Sequence, residues 1–79
     1  MPDIPDELNL TGELKKLADI ATDMQLDKKM RAQAINQIGV IASHDALLVL
    51  LTLAANDKNT TEDRDLALKK AREIVKKGH

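Results

Sequence analysis

Few side chains in this 79-residue chain have the types and spacings that chemistry requires. Cysteine is absent, which excludes thiolate metal sites, cysteine nucleophiles and disulfides together. The two histidines, His44 and His79, lie far apart, and neither has a second histidine or a glutamate at helical ligand spacing. A metal site needs three or four converging donors, so His44 reads as a turn residue beside Asp45. The run Asp57-Lys58-Asn59-Thr60-Thr61-Glu62-Asp63 has the composition of a calcium loop. Its sixth position is Glu62 where the loop needs glycine, and its twelfth is Leu68 where it needs a bidentate glutamate. The segment is therefore expected to be a capped inter-helix loop. Carboxylates are plentiful, but an acid/base pair needs a cleft that separates their proton affinities, and four short aliphatic helices leave little room for one. No glycine-rich phosphate loop and no nucleophile–base constellation occurs. The expectation is a protein that is not an enzyme, with no cofactor and no metal.

The remaining polar features are cationic. Lys69, Arg72 and Lys76 fall at i, i+3 and i+7 on one flank of the last helix, with Lys70 and Lys77 on the other flank around Glu73. Such a stripe suits phosphates or an acidic partner surface. Phe, Tyr and Trp are all absent, so no ring is available to stack on a base. Nucleic acid is thus the lesser expectation, and a solvated helix face the ordinary one. Net charge is −1 but uneven: residues 1–27 carry two basic and seven acidic side chains, whereas residues 28–79 carry ten basic and six acidic. A gradient of this kind orients partners or favours head-to-tail contacts. Arg31 and Arg64 differ from the stripe. Each opens a helix beside its apolar face, so each is expected to lay its methylenes on that face and reach a carboxylate or a free carbonyl.

The elements that position these residues are helices. Hydrophobic residues make up 43% of the chain, enough for a core built from Leu, Ile, Val, Met and Ala. Residues 1–10 are expected to be an N-terminal arm or a short helical turn. The acidic start, Met1 to Glu7, has no apolar stretch and is not expected to be a signal peptide. The longest apolar run, Ala46 to Leu51, is too short to span a bilayer, and the cytoplasm is the expected compartment. Residues 11–79 form the single expected domain, with helices at about 12–24, 28–42, 44–56 and 61–77. The first carries a stripe of Leu14, Leu17, Ala18, Ala21 and Met24 behind a Thr11 cap. The second follows an Asp27 cap and is expected to bury Met30, Ala34, Ile35, Ile38, Ile41 and Ala42. The third follows Ser43 and is apolar nearly all round, which marks a central helix. Leu48 and Val49 flank its polar strip of Asp45, Thr52 and Asn56, and are expected to be left uncovered. The fourth follows Thr60 or Thr61, has Gly78 as its stop, and is expected to turn Ala67, Leu68, Ala71, Ile74 and Val75 inward.

The pattern repeats. Arg31, Ala34, Ile35, Ile38 and Ile41 return 33 residues later as Arg64, Ala67, Leu68, Ala71 and Ile74. The same shift carries Leu14, Leu17 and Ala21 onto Leu47, Leu50 and Ala54, and Asp27 onto Thr60. A fixed period in this range marks stacked supersecondary units. Residues 28–56 resemble a HEAT-like helical repeat through Arg31, Ala34, Ile38, Gly39 and Ile41 in one helix and Ala46, Leu47 and Leu50 in the next. Residues 64–74 repeat the first-helix half, with Arg72 where the glycine would stand. The resemblance implies an all-α fold of four, or with the arm five, helices stacked as two antiparallel pairs in a right-handed α-α superhelix. It also implies structural roles for Arg31, Gly39 and Arg64, with Asp45 or Asp27 supplying the carboxylate beside the arginines. The alternative is a plain four-helix bundle. Gly39 is expected to admit a neighbouring helix closely.

The function expected from these features is a small protein–protein interaction module or scaffold. Its candidate partner-binding residues are Leu48, Val49, Thr52, Lys69, Arg72 and Lys76. The partner class most expected is another protein, with no membrane involved and with a monomer or weak homo-oligomer as the assembly state. The alternatives are a nucleic-acid-associated regulator using the basic last helix and a homo-oligomer stacking through its repeat ends.

Overall fold

Local capping sets where each helix begins. The structure, a computed structural model, describes residues 12–77, which form four α-helices: α1 Gly12–Thr22, α2 Lys28–Ile41, α3 His44–Ala55 and α4 Thr61–Lys76. Asp27 Oδ1 accepts from the Met30 N–H at 2.8 Å, Ser43 Oγ from Ala46 at 3.0 Å and Thr60 Oγ1 from Asp63 at 3.1 Å. Each satisfies a first-turn donor that the helix itself leaves free. Of the two threonines that open α4, Thr60 is the cap. Thr11, the arm and Gly78 lie outside the described residues.

The helix ends fall one or two residues short of expectation, for reasons visible in their side chains. Thr22 Oγ1 donates back to the Ala18 and Asp19 carbonyls at 3.0 and 3.2 Å, and Asp23 Oδ1 accepts from the Gln25 N–H at 3.0 Å. These side-chain bonds replace the next helical turn. Met24 therefore sits in the turn, exposed, instead of extending the α1 stripe. α2 ends at Ala42, which adopts the left-handed conformation (φ 54°) and sends its N–H to the Ile38 carbonyl at 3.3 Å. That reversal lets Ser43 cap α3 immediately.

The four helices form two hairpins, α1–α2 and α3–α4, set side by side. α2 lies along α4, α1 touches α3 more lightly, and α1 and α4 do not meet among the described residues. The fold is all-α, and its core is wholly aliphatic: Leu14, Ile35, Ile38, Val49, Leu50, Leu53 and Ile74 are its largest fully buried side chains. Alanines fill the remaining inward positions on every helix, which suits close helix packing without rings. α3 contacts all three other helices, as its all-round apolar character requires. Several positions expected inside are outside. Met30, Ile41, Leu68 and Val75 are exposed and Ala42 is half-buried. A single-helix wheel assigns them to the apolar face, but each lies on a flank that no second helix covers.

Gly39 of α2 faces the Lys70 side chain of α4. A Cβ there would stand 3.1–3.3 Å from the Lys70 side-chain carbons. Gly39→Leu is expected to force the two helices apart and to cost about 1–3 kcal/mol by urea denaturation. Gly39→Ala should stay within about 1 kcal/mol of wild type, because the gain in helix propensity offsets the crowding.

Candidate functional site

The three buried polar or charged residues among those described are Arg31, Asn59 and Asp63, and they form one network. Arg31 Nε donates to Asp63 Oδ2 at 2.7 Å, and Nη1 donates to the Leu26 carbonyl at 2.5 Å. Asn59 Nδ2 donates to the Ala21 carbonyl at 2.9 Å and reaches Asp63 Oδ2 at 3.4 Å. Asn56 Nδ2 donates to Asn59 Oδ1 at 2.9 Å, completing the chain of bonds. No buried side-chain nitrogen or oxygen among the described residues lacks a partner. The network joins the α1–α2 turn to the α3–α4 turn and to the first turn of α4. It therefore fixes how one hairpin sits on the other. Arg31 thus reaches both a carboxylate and a carbonyl, as expected of it. The carboxylate is Asp63 of the second hairpin, and this corrects the expectation of Asp45 or Asp27. Asp27 is committed to capping α2, and Asp45 lies in the first turn of α3.

Comparing positions 33 residues apart shows which face each hairpin turns to the other. Ala18, Arg31 and Ile35 of the first hairpin are buried, whereas their counterparts Leu51, Arg64 and Leu68 are exposed or half-buried. The reverse holds on the opposite flank: Leu53, Asp63 and Ile74 are buried, whereas Ile20, Met30 and Ile41 are not. Each hairpin thus has a leading and a trailing face, and the leading face of the first packs on the trailing face of the second. The leading face of the second hairpin meets no further helix among the described residues. It is one surface across two helices, because Arg64 Nε on α4 donates to the Ala54 carbonyl on α3 at 3.0 Å. On α4, Leu68 follows Arg64 by one turn and Val75 follows Leu68 by two. On α3, Leu47, Leu51 and Ala54 recur at helical spacing. Val75, Leu51 and Leu68 are 56%, 44% and 36% exposed. This open end is the candidate functional site. Arg64 also stands 3.9 Å from the exposed Asp57 carboxylate, a weak solvent-screened pairing beside the 2.7 Å contact of Arg31 with Asp63.

Of the residues singled out from sequence, Arg72 lies at the open end, one turn from both Leu68 and Val75, Lys69 and Lys76 border it, and the α3 residues do not belong to it. Val49 is fully buried in the core, correcting its assignment to an uncovered surface. Leu48 and Thr52 are half-buried on the flank of α3 opposite Leu47 and Leu51, and Thr52 Oγ1 is satisfied by the Leu48 carbonyl at 2.8 Å. Lys69, Arg72 and Lys76 are exposed on α4, Arg72 between Leu68 and Val75 and the two lysines on the adjoining flank. They line a shallow furrow of about 380 Å³ together with Asp65, Leu68 and Glu73. All six come from one helix, so the furrow is space between long side chains rather than an enclosure. Two carboxylates among three cations leave little field to attract a polyanion. His44 is exposed, no group of metal-ligating side chains converges among the described residues, and no described helix is long and apolar enough to cross a membrane. His79 lies outside the described residues.

Sequence reasoning missed Leu51, Leu68 and Val75 as surface residues. The signal that finds them is the repeat read with its direction: among the described residues, the leading face of the second hairpin meets no further helix. Searches against protein-family models, curated proteins and solved structures found no match to the chain.

Proposed function

We propose that this protein is a small, non-catalytic protein–protein interaction module of HEAT-like type, and that it binds its partner through the open end formed by α3 and α4. One observation carries this reading. The open end occupies the repeat positions by which the first hairpin grips the second, with Leu51, Leu68 and Val75 where that hairpin has Ala18, Ile35 and Ala42, and leaves these three larger or equal aliphatic side chains in solvent. Exposed apolar side chains grouped on one face of a small domain mark a contact surface, and the guanidinium among them adds directional recognition. A cytoplasmic setting fits the absence of cysteine but is not required by it.

The test compares Leu68→Glu/Val75→Glu with Val40→Glu as baits for affinity capture from the source cells. Val40 is the most exposed large apolar residue, at 76%, but lies on the outer face of α2. The open-end variant is expected to lose a partner that wild type and Val40→Glu both retain. Equal retention by all three would remove the open end from consideration. The basic outer face of α4 supports a lesser reading as a phosphate contact. Fluorescence titration with a single-stranded oligonucleotide at low salt is expected to show no binding that Lys69→Glu/Arg72→Glu/Lys76→Glu abolishes.

A further inference from the structure

The best-matched pair of surfaces in this chain is the seam between its own hairpins. We infer that two copies exchange hairpins through the Ala42–Ser43 link, the first hairpin of each packing on the second hairpin of the other. The partner is a second copy of this chain, and the surface it fits is the seam.

α2 ends at Ile41 and α3 begins at His44, so Ala42 and Ser43 alone join the hairpins covalently. The contacts that hold them together run from one hairpin to the other. They include the Arg31–Asp63 and Lys28–Glu62 pairs, the bond from Asn59 to the Ala21 carbonyl, and buried Ala18 and Ile35 on one side with Leu53 and Ile74 on the other. Each of these forms equally well between copies, because neither hairpin has to change. Exchange also keeps the buried guanidinium and carboxylate paired, so it avoids the desolvation cost of a lone charge.

The link itself favours opening. Ala42, at φ 54°, is the only non-glycine residue with positive φ among those described. That conformation at a helix end is usually left to glycine, because a Cβ crowds the following carbonyl. Residues 40–55 contain neither glycine nor proline, and alanine is the strongest helix former. With Ala42 and Ser43 helical, residues 28–55 run as one helix of about 42 Å. The Ser43, His44 and Asp45 N–H groups then reach the Gly39, Val40 and Ile41 carbonyls, so the two helix ends satisfy each other. The bond from the Ala46 N–H to Ser43 Oγ is given up in return.

A straight link carries the two hairpins of one chain apart. In the closed molecule the link turns α3 back along α2. Two straight helices crossing at their links set each α2 against the other copy's α3 in that same antiparallel relation. The result is a closed, two-fold dimer, and short strained links invite it. Each rebuilt unit keeps its α3–α4 end, so exchange doubles that face without a new kind of contact.

Full-length protein refolded from urea at about 10 µM and about 1 mM, then separated by size exclusion, tests the exchange. Wild type is expected to be monomeric from the dilute solution and to yield a dimer from the concentrated one. Ala42→Gly eases the turned link and weakens the straight helix. Each of the two links contributes about tenfold, so dimerisation should fall by about a hundredfold. Ser43→Ala removes the cap of the turned form and should raise dimerisation by about tenfold or more. Carbodiimide coupling of Lys28 to Glu62, which pair across the seam in solvent, separates exchange from surface contact. In an exchanged dimer the new amide joins two chains, and denaturing electrophoresis shows a covalent dimer that Glu62→Gln lacks. Three outcomes would overturn the inference: no dimer at about 1 mM from either wild type or Ser43→Ala, coupling that stays within single chains in the dimer fraction, or Ala42→Gly dimerising as strongly as wild type. The exchange uses none of Leu51, Leu68 and Val75, so its failure and that of the open end as a binding face are separate.

Discussion

Asp63→Ala is expected to destabilise the protein by about 3–5 kcal/mol, because it leaves the Arg31 guanidinium buried without its counter-charge. Both side chains are nearly inaccessible, at 6% and 3% exposure, and Nε and Oδ2 are 2.7 Å apart. Water therefore cannot replace the lost carboxylate without opening the seam between the hairpins. Asn59 would lose its neighbour in the same step, although its bond to the Ala21 carbonyl does not depend on Asp63. Domains of this size have roughly 5 kcal/mol or less to lose, so thermal unfolding should shift to a temperature near or below ambient. The companion variant Arg31→Met/Asp63→Leu removes both charges and should recover most of the loss, since an apolar pair of similar volume often matches a buried ion pair in stability. By contrast, the Lys28–Glu62 pair joins the same two helices in solvent, at 57% and 67% side-chain exposure. Its removal by Glu62→Gln is expected to change stability by less than about 1 kcal/mol. Guanidinium denaturation followed at 222 nm measures all of these. A wild-type-like Asp63→Ala would mean that the hairpins are not held in register by this contact.

The second large effect tests the inequivalence of the two leading faces. Ile35 and Leu68 occupy the same repeat position, but Ile35 is fully buried whereas Leu68 is 36% exposed. Ile35→Ala is expected to cost about 2–5 kcal/mol, through lost burial and the cavity left between α2 and its neighbours. Leu68→Ala should cost about 1 kcal/mol or less, since the side chain already contacts solvent and no enclosed cavity forms. Equal losses would show that Leu68 is covered in solution, by a second copy or by part of the chain outside the described residues. Because the two substitutions delete comparable aliphatic groups, their difference isolates the position in the stack.

Local features were legible in the sequence because their physics is local. Asp27 was identifiable as a cap from its type and place, Thr60 as one of two candidates, and Ser43 as the residue the third helix follows, since a cap needs only an oxygen within reach of the N–H two or three residues on. The four helices and their short connections followed from periodicity and propensity. What depended on a second helix was not legible from one helix at a time. Val49 borders a polar strip on its own helix, yet it is buried because α3 is flanked on that side as well. Thr52 tolerates partial burial because its hydroxyl bonds to the carbonyl one turn back. Asn59 and Asp63 read from sequence as parts of a capped inter-helix loop, and Asp63 in the first turn of α4 also suits the positive end of the helix. Both roles are real, but the function of each in the fold is set by groups 32 and 38 residues away. Contacts of that separation leave no mark on helical periodicity. Only the repeat, by equating positions in the two hairpins, reveals which side chains lack the neighbour their counterparts have.

Site-specific photo-crosslinking tests the open end as the binding face most directly. A photoreactive residue is placed at Leu68, at Val75 or at Val40 in turn, and crosslinks are compared in the source cells. If α3 and α4 present a partner-binding face, Leu68 and Val75 should yield the same discrete adduct, and Val40 should yield none despite being the most exposed large apolar side chain of the three. A shared adduct at Val40, or no adduct at Leu68 and Val75, would contradict it.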